Sequence, residues 1–307
     1  MIETYAAFNE QFPWFFRVAA FLFGAIVGSF LNVCIYRIPA EKSVVTPGST
    51  CGCGKPIQWY DNIPIVSWIV LRGSARCCGR SFSVRYPAIE FLTGVIFLLC
   101  WWFYPPLAAL AGMLFCAILI CATFIDFDHM IIPDRFTIGG AVVGVLVSIL
   151  VPSLHGFDSG WMLIDSMRAG LASVIGLLVG SAVVLWIALL AEILLKKEAM
   201  GFGDVKFMGA IGAFTGWEGA LFAIFGGAVA GTLGLAVMMA LRPLFKRSTP
   251  IEPVKAPDGS DGEADVALGR MVPFGPMLAV GGLLYFLFLS PWVDDYFAGA
   301  ALLFQQL

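Results

Sequence analysis

CATFIDFDHMIIPDR, residues 121–135, closes a long apolar run on two carboxylates, Asp126 and Asp128, set one residue apart. An acid at the edge of such a run is costly unless it is hydrated, paired or protonated, so its position asks for a reason. The run it closes, about 107–125, is long enough to cross a bilayer, which takes roughly 20 apolar residues in a helix. Outward from it, similar runs lie at about 13–36, 88–104, 136–153, 167–195, 206–216, 219–241 and 272–290. Hydrophobic residues make up 60% of the chain and charged ones 13%, against about a quarter charged in ordinary globular domains. The expectation is an all-α polytopic membrane protein with about eight transmembrane helices. The net charge of −3 carries no footprint of nucleic-acid binding, so lipid is an expected partner and nucleic acid is not.

One sizeable polar segment, 37–87, interrupts the pattern after the first span. It carries Arg37, Lys42, Lys55, Arg72, Arg76, Arg80 and Arg85 against Glu41 and Asp61, and the positive-inside rule puts it in the cytoplasm. Threading eight spans from an outside N-terminus then leaves sixteen of the eighteen basic residues inside, with Arg17 and Arg168 outside near helix ends. The first run lacks a small-residue cleavage site and reads as a retained helix. The expected organisation is a first helix at 1–36, a basic cysteine-containing domain at 37–87 and a transmembrane core at 88–247. A flexible cytoplasmic linker at 248–270 and a last helix with an outer-face tail at 271–307 complete it. The linker is rich in Pro, Gly and Asp, and the tail has the composition of an interfacial helix.

This threading places Asp126 and Asp128 at the cytoplasmic end of the third span. AMGFGDVKF, 199–207, opens the sixth span on the same side and brings Asp204 there, 78 positions after Asp126. Asp126 and Asp128 also read as a plain helix end among headgroups, and Asp204 as a helix N-cap. If Asp126 and Asp204 converge, two carboxylates in a medium of reduced dielectric do not both ionise readily and share one proton. Such a pair is an aspartic-protease dyad, one member taking a proton from water while the other steadies the oxyanion. Asp128 is about 200° around a continuing helix from Asp126, so only one of the two is expected to meet Asp204. The two histidines, His129 and His155, fall on opposite sides and supply no triad or His metal site.

With these residues assembled, the chain resembles the type IV prepilin peptidases, bacterial inner-membrane aspartic proteases of the GxGD class. The resemblance rests on GSFLNVCIYRIP (28–39), WYDNIPIVSW (59–68), SVRYPAIE (83–90), FIDFDHMIIPD (124–134), GFGDVK (201–206) and PFGP (273–276). It implies cleavage of the short basic leader from prepilins or pseudopilins at the cytoplasmic boundary of the inner membrane. Methylation of the new N-terminus with S-adenosylmethionine would follow. It also implies catalytic roles for Asp126 and Asp204 and a non-catalytic one for Asp128. The substrate suits the architecture, since an apolar helix in the bilayer and a leader in the cytoplasm put the scissile bond where the acids sit.

Many members carry CxxC twice in the cytoplasmic segment, a four-thiolate zinc pattern that staples a domain too small for a large core. Here the pairs read CGC and CC, giving Cys51, Cys53, Cys77 and Cys78 as candidate zinc ligands, with unligated structural or redox cysteines as the alternative. No Gly-rich nucleotide loop is readable, so the methyl donor has no site derived from spacing. Gly28, Asn32 and Arg37 are candidates for that second activity through the resemblance alone, and equally for helix packing, an interhelical hydrogen bond and a membrane-end anchor. Rival functions are a proton- or cation-coupled transporter using the interfacial carboxylates, which inverted repeats would favour, and a non-catalytic assembly scaffold.

Overall fold

The computed structural model describes residues 11–196, 200–241 and 273–305. The expected linker at 248–270 lies outside the described residues. Helices α1 (Phe15–Arg37), α2 (Val66–Val70), α3 (Arg85–Phe103), α4 (Pro106–His129) and α5 (Ile138–Leu150) come first in chain order. They are followed by α6 (Met162–Leu195), α7 (Phe202–Leu241), α8 (Gly275–Leu284) and α9 (Ser290–Gln305). A π-helical turn, Tyr285–Leu289, joins the last two. Among the described residues there is no β-strand, only two isolated bridges, Thr50 to Pro56 and Ser74 to Ser81.

Among the described residues, six helices are long and apolar enough to cross a membrane. Two features separate these six from the expected eight. One is α5, whose 13 residues span about 20 Å, short of the roughly 30 Å hydrocarbon core. The other is α7, which breaks at Gly216, where φ is 72° and ψ −177°. A Cβ on Gly180 of α6 would lie 3.0 Å from the Met208 carbonyl and 3.3 Å from the Ala220 Cβ. Unbroken helix would hold those two residues about 18 Å apart, so the chain doubles back at Gly216 and α7 is two antiparallel segments. Glycine is required there because a side chain resists that positive φ.

The helices approach through small residues, as membrane helices do when packing rather than water exclusion drives association. Gly24 meets Gly94 between α1 and α3, Gly176 meets Gly212 between α6 and α7, and Gly281 of α8 sits on the Ala223 carbonyl of α7. Around these contacts gathers a core that includes Phe115, Ile125, Met208, Ile211, Phe214 and Leu278. Phe115 stacks on Phe214 with ring centroids 4.8 Å apart. This core draws α4, the first half of α7 and α8 together, and so fixes where their ends meet. At the opposite end, the Tyr104 hydroxyl donates to the Phe286 carbonyl, and Tyr285 Oη donates to Asp294 Oδ1 at 2.6 Å. The tail is helical, with Trp292, Tyr296, Leu302 and Leu303 exposed.

Candidate active site

Asp126 sits in the last turn of α4, which Met130 closes in the left-handed conformation with its N–H donating to the Asp126 carbonyl. The helix therefore runs on past both acids, which makes the opposite-face expectation for Asp126 and Asp128 a matter of geometry. Asp126 is buried, at 5% exposure, and its carboxylate accepts the backbone N–H of Gly275 at the start of α8. Asp128 turns away to Arg85, the first residue of α3, which grips it through both guanidinium nitrogens at 2.7 Å each. Arg85 also donates to the Phe124 carbonyl at 3.3 Å.

Asp204 lies in the first turn of α7 and is part-buried. Its N–H donates to the Gly201 carbonyl at 3.1 Å while its carboxylate accepts the Gly201 N–H. Gly201 has no side chain to return the bond, so only the acidic half of a capping arrangement is present, with Asp204 at the third helical position. The N-cap position expected for Asp204 belongs to Gly201, and this contact from within the first turn uses one acceptor position of the Asp204 carboxylate. Asp126 and Asp204 are near enough to interact electrostatically, which brings together the two acids separated by 78 positions.

Two contacts hold this meeting point. Ile132 reaches both flanks, its Cβ 3.8 Å from where a Cβ on Gly203 would be and its Cδ1 2.8 Å from that of Gly275. Lys206 Nζ donates to Asp134 Oδ1 at 2.5 Å and holds the Asp134 carboxyl below the usual range, tying the loop after α4 to α7. A Cβ on Gly275 would stand 2.6 Å from Asp126 Oδ2, so glycine alone lets backbone and carboxylate approach this closely. Sequence reasoning did not single out Gly275, Arg85, Asp134 or Lys206. All four stand in motif blocks, but no spacing points from them to the acids.

The four polar-segment cysteines also converge. Cys51 and Cys78 sulfurs are 3.5 Å apart, Cys53 and Cys77 3.4 Å, and all four lie within 4.8 Å of one another. Sulfurs around a tetrahedral zinc are about 3.8 Å apart, given Zn–S bonds of about 2.3 Å, so the set fits such an ion. Two tight turns make this possible despite the short spacing. Cys51 N–H bonds the Lys55 carbonyl and Ala75 N–H the Arg80 carbonyl, with Gly54 and Gly79 at positive φ. The Lys55 backbone N–H lowers Cys53 to about 7, whereas Cys77, crowded by Cys51 and Cys53, is pushed up to about 12. Four close thiols resist ionising together, and a divalent cation removes that resistance.

The weaker candidates have structural partners. A Cβ on Gly28 would be 2.7 Å from the Glu90 Cα, Asn32 Nδ2 donates to the Tyr86 carbonyl at 3.2 Å, and Arg37 donates to the Ser43 and Gly48 carbonyls. The first two are the packing and interhelical roles read beside the functional ones, while Arg37 ties the following loop to the end of α1. Without a strand among the described residues, no strand, Gly-rich loop and helix cradle is present for a nucleotide.

Residues 22–104 match the family model described as the bacterial peptidase A24 N-terminal domain, and residues 113–236 that of the type IV leader peptidase family. The chain is 33% identical to a prepilin leader peptidase/N-methyltransferase of Myxococcus xanthus (strain DK1622), over 95% of each chain. It is 32% identical to one from Klebsiella pneumoniae, over 71% of this chain and 94% of that one. For the Neisseria gonorrhoeae relative the figures are 31%, 89% and 91%. No solved structure matches.

Proposed function

The chain belongs to the type IV leader peptidase family, and on that premise we propose that Asp126 and Asp204 are the catalytic pair of a prepilin leader peptidase and N-methyltransferase. The protein is a multi-pass inner-membrane enzyme. The observation that carries the reading is the approach of Asp126 to Asp204 from the ends of two helices distant in the chain. In the proposed chemistry the charged carboxylate takes a proton from water as its oxygen attacks the scissile carbonyl. The protonated carboxyl gives its proton to the carbonyl oxygen, and the C–N bond then breaks with a proton passing to the leaving amine. Asp128, engaged by Arg85, stays outside the reaction.

The orientation proposed has the N-terminus outside and the acids facing the cytoplasm, where sixteen basic residues gather. The substrate proposed is a prepilin or pseudopilin whose leader is cut at that boundary. The domain division proposed is the one read from the sequence, with 37–87 as the cysteine domain and 88–247 as the protease core. Cys51, Cys53, Cys77 and Cys78 would hold a structural zinc, which staples the segment between α1 and α3. S-adenosylmethionine supplies the methyl group, and no step is assigned to residues of this chain for that transfer. Nothing in the comparisons favours the transporter reading.

Cleavage of a bilayer-embedded prepilin by Asp126→Asn, Asp204→Asn and Asp128→Asn tests the assignment, with folding followed by thermal melting. The first two variants lose cleavage and Asp128→Asn keeps it. Near wild-type cleavage by either Asp126→Asn or Asp204→Asn sinks the dyad.

A further inference from the structure

The segment between α1 and α3 carries the four thiols, yet one part of it is unlike a water-facing loop. In WYDNIPIVSWIV, 59–70, Trp59, Ile63, Val66, Ile69 and Val70 are all exposed, Trp59 at 80% and Val70 at 67%. So much apolar surface in one short stretch marks a contact surface in a soluble setting. Its position explains what the contact is with.

The backbone of this stretch is pinned to the bundle at a definite depth. Ile65 N–H donates to Glu90 Oε2 at 2.7 Å, and Glu90 is also hydrogen-bonded by Ser29 of α1. Glu90 is five residues into α3 from Arg85, about 7 Å along the helix, and Ser29 is eight residues before Arg37, about 12 Å. Ile65 is therefore held inside the level of the charged ends of both helices. It adopts φ 62°, a conformation β-branched residues rarely take, so the turn at this depth is imposed by its surroundings. Beside it, the outward faces of α1 and α3 expose Phe30 and Phe91 at 50% and 54%, and these faces meet lipid. The exposed side chains of 59–70 continue that surface.

Charge points the same way. Among the described residues the ion pairs are Arg76 with Asp61, Arg85 with Asp128 and Lys206 with Asp134. Lys55, Arg72 and Arg80 are exposed and belong to none of them. They flank the apolar stretch as basic residues flank an interfacial helix, whose apolar face sits about 5–10 Å into the headgroup and acyl boundary.

We propose that residues 59–70 dip into the membrane leaflet at the Asp126 end of the bundle, with Lys55, Arg72 and Arg80 on its anionic phosphate headgroups. The four-thiol module is then a membrane-seated element rather than a free aqueous domain. The proposal does not depend on which residues cleave substrate.

Photocrosslinking of the full-length protein in nanodiscs of phosphatidylethanolamine and phosphatidylglycerol tests it. A benzophenone amino acid replaces Ile69 or Val70 in separate variants, Leu178 on the outer face of α6 as the lipid-facing standard, and Glu41 as the aqueous one. Monodispersity and melting temperature verify each variant. The expected result is an acyl-chain adduct at 69 and 70 in yield comparable to position 178, lost at 41. Replacing phosphatidylglycerol with phosphatidylcholine lowers the yield at 69 and 70 but not at 178. Absence of a lipid adduct at 69 and 70 while 178 gives one overturns the proposal. So does an adduct formed with added prepilin in place of lipid, which would make the stretch a substrate seat.

Discussion

Replacing Gly275 with alanine separates the geometry of the acids from the stability of the fold. The new Cβ would stand 2.6 Å from Asp126 Oδ2, 3.4 Å from its Cγ and 2.8 Å from Ile132 Cδ1. Ordinary contact begins at 3.4 Å, so the carboxylate must retreat by about 0.8 Å and stretch its bond from the Gly275 N–H. Misplacing a reacting group by about 1 Å costs on the order of 100-fold, equivalent to about 2.7 kcal/mol of barrier. Gly275 is the first residue of α8, and alanine is the better helix former there, so the melting temperature should stay within a few degrees. The assay is single-turnover cleavage of a prepilin in proteoliposomes by wild type, Gly275→Ala and Gly234→Ala, the last because a Cβ there meets nothing. Gly275→Ala cleaves about 100 times more slowly, and Gly234→Ala is unchanged. Adding Ile132→Val relieves only the second contact and does not restore the rate. A Gly275→Ala enzyme that cleaves within about threefold of wild type, a difference near 0.7 kcal/mol, refutes the reasoning.

Other consequences follow from separate parts of the molecule. Metal analysis of protein purified without chelator should find about one zinc per chain, with Cys51→Ser and Cys78→Ser losing it while Cys116→Ser, in the helical core, retains it. Gly212→Ala drives a Cβ into the Gly176 carbonyl oxygen; because backbone must move, it should destabilise by about 1–3 kcal/mol, read as a lower melting temperature in detergent. His155, in the turn after α5, donates to or accepts from Ser148 at 2.9 Å and is pushed down to about 4 by burial. Its unfolded form takes up a proton below about 6.5 while the folded form stays neutral, so stability falls as pH drops from about 6.5 to 4. The loss, up to about 3 kcal/mol, should disappear from the melting profile of His155→Gln.

Much of the architecture was legible because its signals are compositional and periodic. Apolar runs announced the spans, and six of the described helices are long and apolar enough to make them. Helix α7 was already split in the sequence into runs at 206–216 and 219–241; the limit is the turn itself, since only the positive φ of Gly216 and the shared contacts of Met208 and Ala220 on Gly180 show how the two fold back. The cysteines show another. CGC and CC spacing departs from paired CxxC, so convergence depended on two turns whose backbone bonds, from Cys51 and Ala75 to the Lys55 and Arg80 carbonyls, are invisible in a residue pattern. For Asp128 the helical angle allowed only one of the two acids into the pair and the resemblance left Asp128 out, but its partner Arg85 lies 43 positions away and no periodicity connects them.

Beyond what the family resemblance implied, sequence alone determined that this chain lives in a membrane and that only one of Asp126 and Asp128 can join Asp204. Each of these follows from local chemistry, the transfer cost of side chains and the angle between neighbours on a helix. Only the tertiary structure decided that Asp126 meets the Gly275 N–H, that Asp204 caps its own helix while facing Asp126, and that the four thiols gather around one point. Those are contacts between segments far apart in the chain, set by how glycine-lined helices close on one another, and that packing is a property of the assembled bundle.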